Sequence, residues 1–296
     1  MLSILIPTYN YDITSLVAVL YKQLEDVSYA YEIIVVDDAS TKEDLKVKNR
    51  TIKQYPHCTC IELSENKGRT ATRNFLAQKA NYEWLLFMDA DVLPKKNTFI
   101  QVFNLENTLA DVVFGGISYE KNPPEKSKML RWKYGRAREA KPFSIREKMP
   151  YLSIISQCFL IKKKVFIQAN TFFENTYGLD VLFSRNLENL NVQVLHIDNP
   201  IIHYGLETNT SFILKTKKGL ETLSKLEEEQ KIPNHYRPIQ KAYVALQKRK
   251  LGGIFGFAIT GLEFLILKNL NSRNPSLLLF DVLKLNYYLK IKKRHQ

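Results

Sequence analysis

Two aspartates, Asp89 and Asp91, stand one residue apart at the end of the apolar run WLLFM. The chain usually turns where a buried strand ends, so two carboxylates at such a point can converge on one cation. Mg²⁺ and Mn²⁺ prefer oxygen ligands, and substrate phosphates usually complete their coordination. The pair alone is a weak signal, because neighbouring acids also cap helices or lie solvated at a surface. Further polar side chains must lie near the two aspartates to define a site for a metal and a diphosphate.

Several other polar groups follow apolar runs of the same kind. Tyr9 offers a ring that can stack on a base, and acids at strand ends accept hydrogen bonds from a base or ribose in nucleotide-binding folds. Lys67, Arg69 and Arg73 stand beside a predicted helix start, where they suit phosphate or can orient carboxylates. Together the groups predict a nucleoside diphosphate site, and they come in the order Thr8-Tyr9-Asn10, Asp37-Asp38, Asn66-Lys67-Gly68 and Asp89-Asp91.

The first 115 residues alternate between short apolar runs rich in β-branched residues and helical patterns. The predicted strands are LSILIP, EIIVVDD, CTCIEL, EWLLFMD and ADVVFGG, and the predicted helices cover 12–25, 41–54, 68–80 and 95–104. This alternation predicts an α/β fold with a mostly parallel sheet flanked by helices. Ligands of such sheets bind outside the carboxyl ends of the strands, where the polar groups above stand.

Residues 118–150 interrupt this pattern with a basic segment that contains one predicted helix near 125–138. The segment is either a loop over the site or a solvated connector, and its Trp132 and Arg136 either meet an acceptor or lie on the surface. Beyond it we predict a strand in YLSIISQCFLIKK, a helix in YGLDVLFSRNLENL, a strand in VQVLHID and a helix over 209–230. His196, beside apolar neighbours in VQVLHID, is predicted to be a core residue.

The C-terminal tail carries most of the net charge of +13, since residues 241–296 hold eleven Lys and Arg against two acids. Its apolar segments cover 251–267 and 275–291, and the first is shorter than the roughly 20 residues that a spanning helix needs. Basic clusters at 248–250 and 290–294 favour helices lying in the interface of an anionic membrane. The alternative is a helical pair that packs on the main domain or in a dimer contact.

Three cysteines without a disulfide pattern suit a reducing compartment. With the basic tail, they predict a cytoplasmic protein that is peripheral on the inner face of the cell membrane.

The ordered motifs SILIPTYN, EIIVVDDAS, NKGRTATRN and FMDADV resemble the family 2 glycosyltransferases, which have the GT-A fold. The resemblance is strong over 1–115 and weaker to about residue 230. It implies a GT-A domain over 1–235, with a nucleotide-binding half (1–115) and an acceptor half (116–235), followed by a helical tail (236–296). It also implies inverting transfer from a nucleotide sugar, with UDP as the default nucleotide, to a glycan or lipid-linked acceptor with the help of Mg²⁺ or Mn²⁺.

The same resemblance assigns residue roles. Asp91 becomes the direct metal ligand, with Asp89 towards the ribose and metal-bound water and His203 as a further metal ligand. Asp180 becomes the general base, although Leu179 stands where the family usually has glutamate; the alternative is a carboxylate that interacts with the dipole of its helix. The residues implied to bind the nucleotide sugar are Pro7, Thr8, Tyr9, Asp37, Asp38, Asn66, Lys67, Arg73, Asp89 and Ala90.

Other classes of protein fit the sequence less well. A basic nucleic-acid-binding protein would place its charge on an aromatic-lined groove, whereas here the charge lies beside apolar tail segments. Another nucleotide-sugar enzyme, such as a nucleotidyltransferase, would carry a glycine-rich loop after the first strand, and PTYN has no glycine. A phosphohydrolase with an aspartate nucleophile would place its Asp-x-Asp after the first strand, whereas this one follows the fourth. The sugar, the base, the acceptor and the oligomeric state stay open.

Overall fold

The computed structural model describes residues 1–103, 105, 108–172 and 176–294. The chain divides into two compact units. The first comprises 1–120, 139–175 and 183–205, and the second comprises 121–138, 176–182 and 206–296. The predicted domain boundary at residue 235 therefore falls inside the second unit.

The strands of the first unit, in the described residues, are β1 (Leu2–Thr8), β2 (Tyr31–Asp37), β3 (Cys58–Glu62), β4 (Trp84–Met88), β5 (Val92–Pro94), β6 (Val112–Phe114), β7 (Ile117–Ser118), β8 (Cys158–Lys162), β9 (Val194–His196) and β10 (Ile201–His203). They form a seven-stranded sheet in the order β3-β2-β1-β4-β8-β6-β9 and a three-stranded sheet in the order β5-β10-β7. In the larger sheet only β8 runs antiparallel to its neighbours, which confirms the predicted α/β fold with a mostly parallel sheet.

The helices confirm most of the predicted helical segments, within a few residues at their ends. They are α1 (Thr14–Leu24), α2 (Glu43–Arg50), α3 (Arg69–Lys79), α4 (Met129–Tyr134), α5 (Phe143–Arg146), α6 (Lys163–Ala169), α7 (Asp180–Asn189), α8 (Asn209–Glu228), α9 (Pro238–Lys248), α10 (Gly252–Leu270) and α11 (Leu277–Arg294). Short helical turns extend α2 (Thr51–Gln54) and flank α4 (Lys126–Lys128 and the π-helical Gly135–Glu139).

The central strands are buried on both faces, as their continuous apolar sequences require. On one face, alternate residues of β1, β2 and β4 pack with α3, α6 and the later turns of α7. Phe87 lies at the centre of this layer, with ring centroids 5.2 Å from Phe159 and 4.5 Å from Phe166. Truncating such a fully buried aromatic side chain to alanine typically costs about 3–5 kcal/mol.

The predicted helix over 95–104 is wrong for the part that the structure describes, and residue 104 lies outside the described residues. The chain instead forms β5, then turns, and one 3₁₀ turn at Gln101–Phe103. Contacts from distant residues hold this shape: Gln23 accepts a hydrogen bond from the Ile100 amide, and Asn199 donates one to the Phe99 carbonyl. Tertiary contacts thus outweigh the local helical preference. The predicted strand in YLSIISQCFLIKK is likewise shorter, since only β8 forms.

The second unit is helical in its described part. Phe212 and Ile213 of α8 pack with Ile266 of α10 and with Phe280 and Leu283 of α11. Both apolar tail segments are therefore helices that share a core with α8. By length and composition, α10 could cross a membrane. Of its most apolar 18 residues, 11% are buried inside the protein.

Candidate active site

The carboxyl ends of β1, β2 and β4 lie side by side in the first unit. The parallel register pairs Thr8 with Asp37, and β4 runs next to β1 in the same direction. The loops that leave these strands carry the predicted groups from Tyr9, Asp38 and Asp89 onward. Tyr9 is 49% exposed, so its ring is available to a ligand. Pro7 and Thr8 lie within β1, and the Thr8 hydroxyl donates to the Tyr11 carbonyl at 3.2 Å.

Asp38 joins the loop after β2 to the loop before α3. Its carboxylate accepts hydrogen bonds from the backbone amides of Lys67 (2.8 Å) and Gly68 (2.9 Å). The Asn66 side chain adds a bond to the Asp38 carbonyl at 3.0 Å. Hydrogen bonds to a charged group are each worth about 1.5–3 kcal/mol, so Asp38 fixes the shape of the segment that starts NKGRTATRN. Lys67 itself stays exposed.

Asp37 differs from its neighbour. One carboxylate oxygen accepts from the Ser40 amide at 2.6 Å, and Ser40 in turn accepts from the Asn10 amide at 2.7 Å. The other oxygen, Oδ2, is buried and has no hydrogen-bond partner in the described part of the chain. Asn10 and Ala39, on either side of this link, adopt positive φ angles of 52° and 59°. These strained turns bring the two loops together at the strand ends.

Asp89 lies between two guanidinium groups. Arg69 binds its Oδ2 at 2.5 Å, and the largely buried Arg73 binds its Oδ1 at 2.6 Å. Both arginines also donate to Ser156, whose role the sequence did not indicate. Because both oxygens of Asp89 already bind cationic groups, this carboxylate is poorly placed to give its charge to a metal ion.

Asp91 is held differently, next to His203. The Asp91 Oδ2 lies 3.3 Å from the His203 Nε2, and the Asp91 side chain is 28% exposed. Burial raises the pKa of Asp91, but the hydrogen bond and charge of His203, helped by the charge of Arg69, outweigh it, so the pKa lies below its usual range. The imidazole packs edge-on against Tyr119, and its Nδ1 is buried without a partner among the described residues.

Strand pairing explains why Asp91 and His203 meet. β5 pairs antiparallel with β10, and this register sets His203 opposite Val92. The Asp91 carbonyl then accepts from the Tyr204 amide at 2.9 Å. Gly205 follows at once, and a Cβ there would lie 1.7 Å from the Asp91 Oδ2. Any larger residue at position 205 would therefore displace the Asp91 carboxylate, a requirement that sequence reasoning missed.

The residues around Asp91 fit a divalent cation that takes most of its ligands from a substrate. One carboxylate oxygen and one imidazole nitrogen converge there, and Mg²⁺ and Mn²⁺ are commonly bound by one or two protein ligands plus phosphate oxygens and water. No three His, Cys, Asp or Glu side chains form a metal cage in the described part of the chain. The protein alone thus offers an open, incomplete coordination shell.

The remaining predicted residues are distributed over both units. Ala90, between the two aspartates, is partly exposed. Asp180 is exposed, begins α7 in the second unit, and its carboxylate has no partner within the described ranges. In the same unit, Arg136 lies over the Trp132 ring at 4.7 Å. His196 is confirmed as a core residue, since it is 3% exposed and contacts Arg146 and the Pro150 carbonyl.

Solved structures define the class of this fold. The mannosyltransferase PcManGT from Pyrobaculum calidifontis, in complex with GDP-Man and Mn²⁺, matches with a TM-score of 0.58 and 17% identity over 99% of this chain and 86% of that one. S. aureus TarS 1-349, in complex with UDP-GlcNAc, matches with a TM-score of 0.52 and 17% identity over 99% and 91%. The fold is therefore the GT-A glycosyltransferase fold.

The sequence defines the family within that fold class. Residues 3–169, more than half of the chain, match Glycosyl transferase family 2, and the chain belongs to this family. A poly(ribitol-phosphate) beta-glucosyltransferase from Bacillus spizizenii is 33% identical over 121 residues, or 38% of this chain. That match spans only 18% of the length of the relative.

Proposed function

We propose that the protein transfers a sugar from a nucleotide-diphosphate sugar to a hydroxyl group of an acceptor, with inversion at the anomeric carbon. The observation that carries the proposal is the environment of the Asp91 carboxylate. It is a half-buried carboxylate with His203 beside it and Gly205 leaving room next to it, whereas Asp89 is already bound by two arginines. Membership of family 2 supports the same chemistry.

The donor binds at the strand ends of the first unit. The exposed ring of Tyr9 stacks on the base. Asp38 contacts the base and also fixes the loop that carries Lys67, and the buried Asp37 supports this arrangement from the end of β2. UDP is the proposed nucleotide. TarS was solved with UDP-GlcNAc and PcManGT with GDP-Man, so the alternative nucleotide to test is GDP.

Asp91 and His203 would hold Mg²⁺ or Mn²⁺, which when bound offsets the charge on the departing diphosphate. Arg69 and Arg73 keep the Asp89 carboxylate fixed beside this position, where it would contact the ribose and metal-bound water. In this arrangement the protein would supply few ligands, and the donor diphosphate would complete the coordination of the ion. Donor and metal are then expected to bind together, each strengthening the other.

Asp180 acts as the general base. An inverting transfer requires a carboxylate that takes the proton of the acceptor hydroxyl as its oxygen attacks the anomeric carbon from the face opposite the diphosphate. Asp180 is exposed and its carboxylate is unpaired within the described ranges, so it is available for this task. The competing role is stabilisation of α7 by a negative charge at its first turn.

The proposed acceptor is a glycan or a lipid-linked glycan, in the synthesis of a surface polysaccharide or glycolipid. The named activity of the Bacillus relative, glucosyl transfer to poly(ribitol-phosphate), supports an acceptor of this kind. The net charge of +13 suits an acceptor that carries phosphate.

A screen of nucleotide sugars tests the proposal. Binding is measured by calorimetry with Mn²⁺, and turnover is measured as donor hydrolysis and as transfer to simple glycosides. Asp180→Asn is expected to keep donor binding and to lose roughly 10²–10⁴-fold in transfer, because only the proton acceptor is removed. Asp26→Asn, an exposed aspartate in the first unit, is the matched control. Absence of binding to every nucleotide sugar would refute the proposal, and wild-type transfer by Asp180→Asn would remove the assigned base.

A further inference from the structure

α10 presents an apolar face to solvent. Ile254, Phe257, Phe264 and Leu265 are 71%, 87%, 76% and 58% exposed. Their spacing places all four within about 100° of the helix circumference, at 100° per residue. A continuous exposed face of this kind is unusual for a solvated surface and indicates a partner.

The only ionisable residue between 251 and 267 does not interrupt this face. Glu263 is bound by Lys290 of α11 at 3.0 Å and lies 3.8 Å from Lys217 of α8. Its charge is thus neutralised on the side of the helix that packs within the unit. The outward side of α10 carries no charge over this length.

A groove of about 300 Å³ runs beside the exposed face, between α10 and α11. On α10 it is lined by small residues one helical turn apart, Gly252, Gly256 and Thr260. Asn286 of α11 contributes a polar group: it is 1% exposed, its amide nitrogen lies 3.4 Å from the Thr260 hydroxyl, and its Oδ1 has no partner in the described part of the chain. A buried carbonyl oxygen without a donor is rare, and here it lines an open groove.

Positive charge collects at one end of the groove. Lys290 and Lys293 line it, and a Cβ on Gly252 would lie 3.5 Å from a Leu289 methyl group, so α10 begins where α11 ends. The exposed cluster 248–250 directly precedes α10 at this end. Within the described residues, none of Lys248, Arg249, Lys250 and Lys293 forms a salt bridge. An apolar face therefore lies beside uncompensated positive charge.

We propose that α10 and α11 form a docking surface for an anionic phospholipid bilayer, and that the groove between them seats one lipid headgroup. The exposed face of α10 enters the acyl region, Lys293 binds the lipid phosphate, and a headgroup hydroxyl donates to the Asn286 Oδ1. Phosphatidylglycerol offers both a phosphate and such hydroxyls. This inference goes beyond the transfer reaction and does not depend on it.

The packing of α10 favours a helix that lies in the interface over one that crosses. Its inner face, at Ile266 and Leu270, is covered by Phe280 and Leu283 of α11. α11 also carries Asp281 and basic residues along its length. A crossing α10 would draw these charges into hydrocarbon or lose its core contacts, and charged residues inside a membrane are costly.

Vesicle sedimentation with the full chain tests the exposed face. Vesicles of phosphatidylcholine alone are compared with vesicles of equal parts phosphatidylcholine and phosphatidylglycerol. Phe257→Glu is expected to weaken binding to the anionic vesicles by roughly tenfold, since it removes an inserted ring and adds a repelled charge. Leu109→Glu is the control, because Leu109 in the first unit is equally exposed at 87%. Equal binding by the two variants, or equal binding of wild type to both kinds of vesicle, would overturn the proposal.

Two glycine variants test the groove. Gly256→Leu fills it, since a Cβ there meets only the Asn286 Oδ1 at 3.8 Å, whereas Gly261→Leu projects into open space. Gly256→Leu is expected to lose most of the preference for phosphatidylglycerol, and Gly261→Leu to keep it. An unchanged preference in Gly256→Leu would overturn the headgroup site.

Displacement of the protein from vesicles by soluble glycerol phosphate would instead reassign the groove to a free phosphate ester. A dimer that Phe257→Glu dissociates, with no vesicle binding by wild type, would reassign the face to self-association.

Discussion

At the scale of single residues, the two aspartates of the Asp-x-Asp pair are not equivalent. Asp89 is neutralised by Arg69 and Arg73, while Asp91 keeps an accessible carboxylate next to His203. Burial would ordinarily raise the pKa of Asp91, yet its partners lower it and keep the group ionised. A carboxylate that is both ionised and accessible can bind a cation.

The substitution Gly205→Ala tests whether the position of the Asp91 carboxylate matters for donor binding. In Gly205→Ala the added methyl group must displace the Asp91 carboxylate, since the two would otherwise lie 1.7 Å apart. A displacement near 1 Å at a catalytic group can cost up to about 10²-fold in activity. We expect donor affinity in the presence of Mn²⁺, measured by calorimetry, to fall by at least roughly tenfold. Gly253→Ala is the control, because nothing lies within 4 Å of that Cβ; identical affinities for the two variants would refute the role of Gly205.

At the scale of elements, short strands bring distant residues together. β5 and β10 contain three residues each, yet their pairing joins Asp91 to His203, which are 112 positions apart. Arg146 also joins residues that are distant in the sequence. Its buried guanidinium donates to the carbonyls of Phe114 and Ile197 and lies 3.1 Å from the His196 Nδ1. These contacts hold the ends of β6 and β9.

The burial of His196 predicts a pH dependence of stability. Burial, and to a lesser extent the charge of Arg146, lower the pKa of His196 to about 4, although the bond to the Pro150 carbonyl opposes the shift. The unfolded chain therefore binds a proton at His196 that the folded chain does not, between about pH 6.5 and 4. Stability is full above pH 6.5 and falls as the pH drops through this window, by up to roughly 3 kcal/mol.

Urea unfolding at pH 7 and pH 5 measures this effect. Wild type is expected to lose more free energy of unfolding between the two pH values than His196→Gln, which cannot titrate. The control is His235→Gln, whose side chain is exposed. An equal loss in wild type and His196→Gln would show that His196 does not contribute.

The sequence predicts the elements that follow local rules and misses those that depend on distant contacts. Continuous apolar residues predict buried strands such as β1 and β2, and the motifs at their ends indicate the nucleotide site. Nothing local marks β5 as a strand, because three residues carry no periodicity, and nothing in NTFIQVF shows that Gln23 and Asn199 will hold it in turns. Gly205 was missed for the same reason, since its requirement arises from Asp91.

At the scale of the whole molecule, the residues with proposed roles are distributed over the two units. The first contains the strand ends with Asp38, Asp89, Asp91 and His203. The second contains Asp180, the basic segment around Trp132 and the tail helices that share a core with α8. The uneven charge follows this division, since residues 241–296 supply most of the net +13. The segment predicted as a tail (236–296) is thus part of a packed helical unit, and one apolar face of α10 in that unit is exposed.

The central claim is that Asp91 makes nucleotide-sugar binding depend on a divalent cation. The most direct measurement is calorimetric titration of UDP and GDP sugars into wild type and Asp91→Asn, each with Mn²⁺ and with EDTA. Asp198→Asn, an exposed aspartate of the first unit, is the control. We predict that Mn²⁺ strengthens binding by wild type and Asp198→Asn by roughly tenfold or more, and that Asp91→Asn loses this gain. The same Mn²⁺ dependence of donor binding in Asp91→Asn as in wild type would contradict a metal-binding role of Asp91.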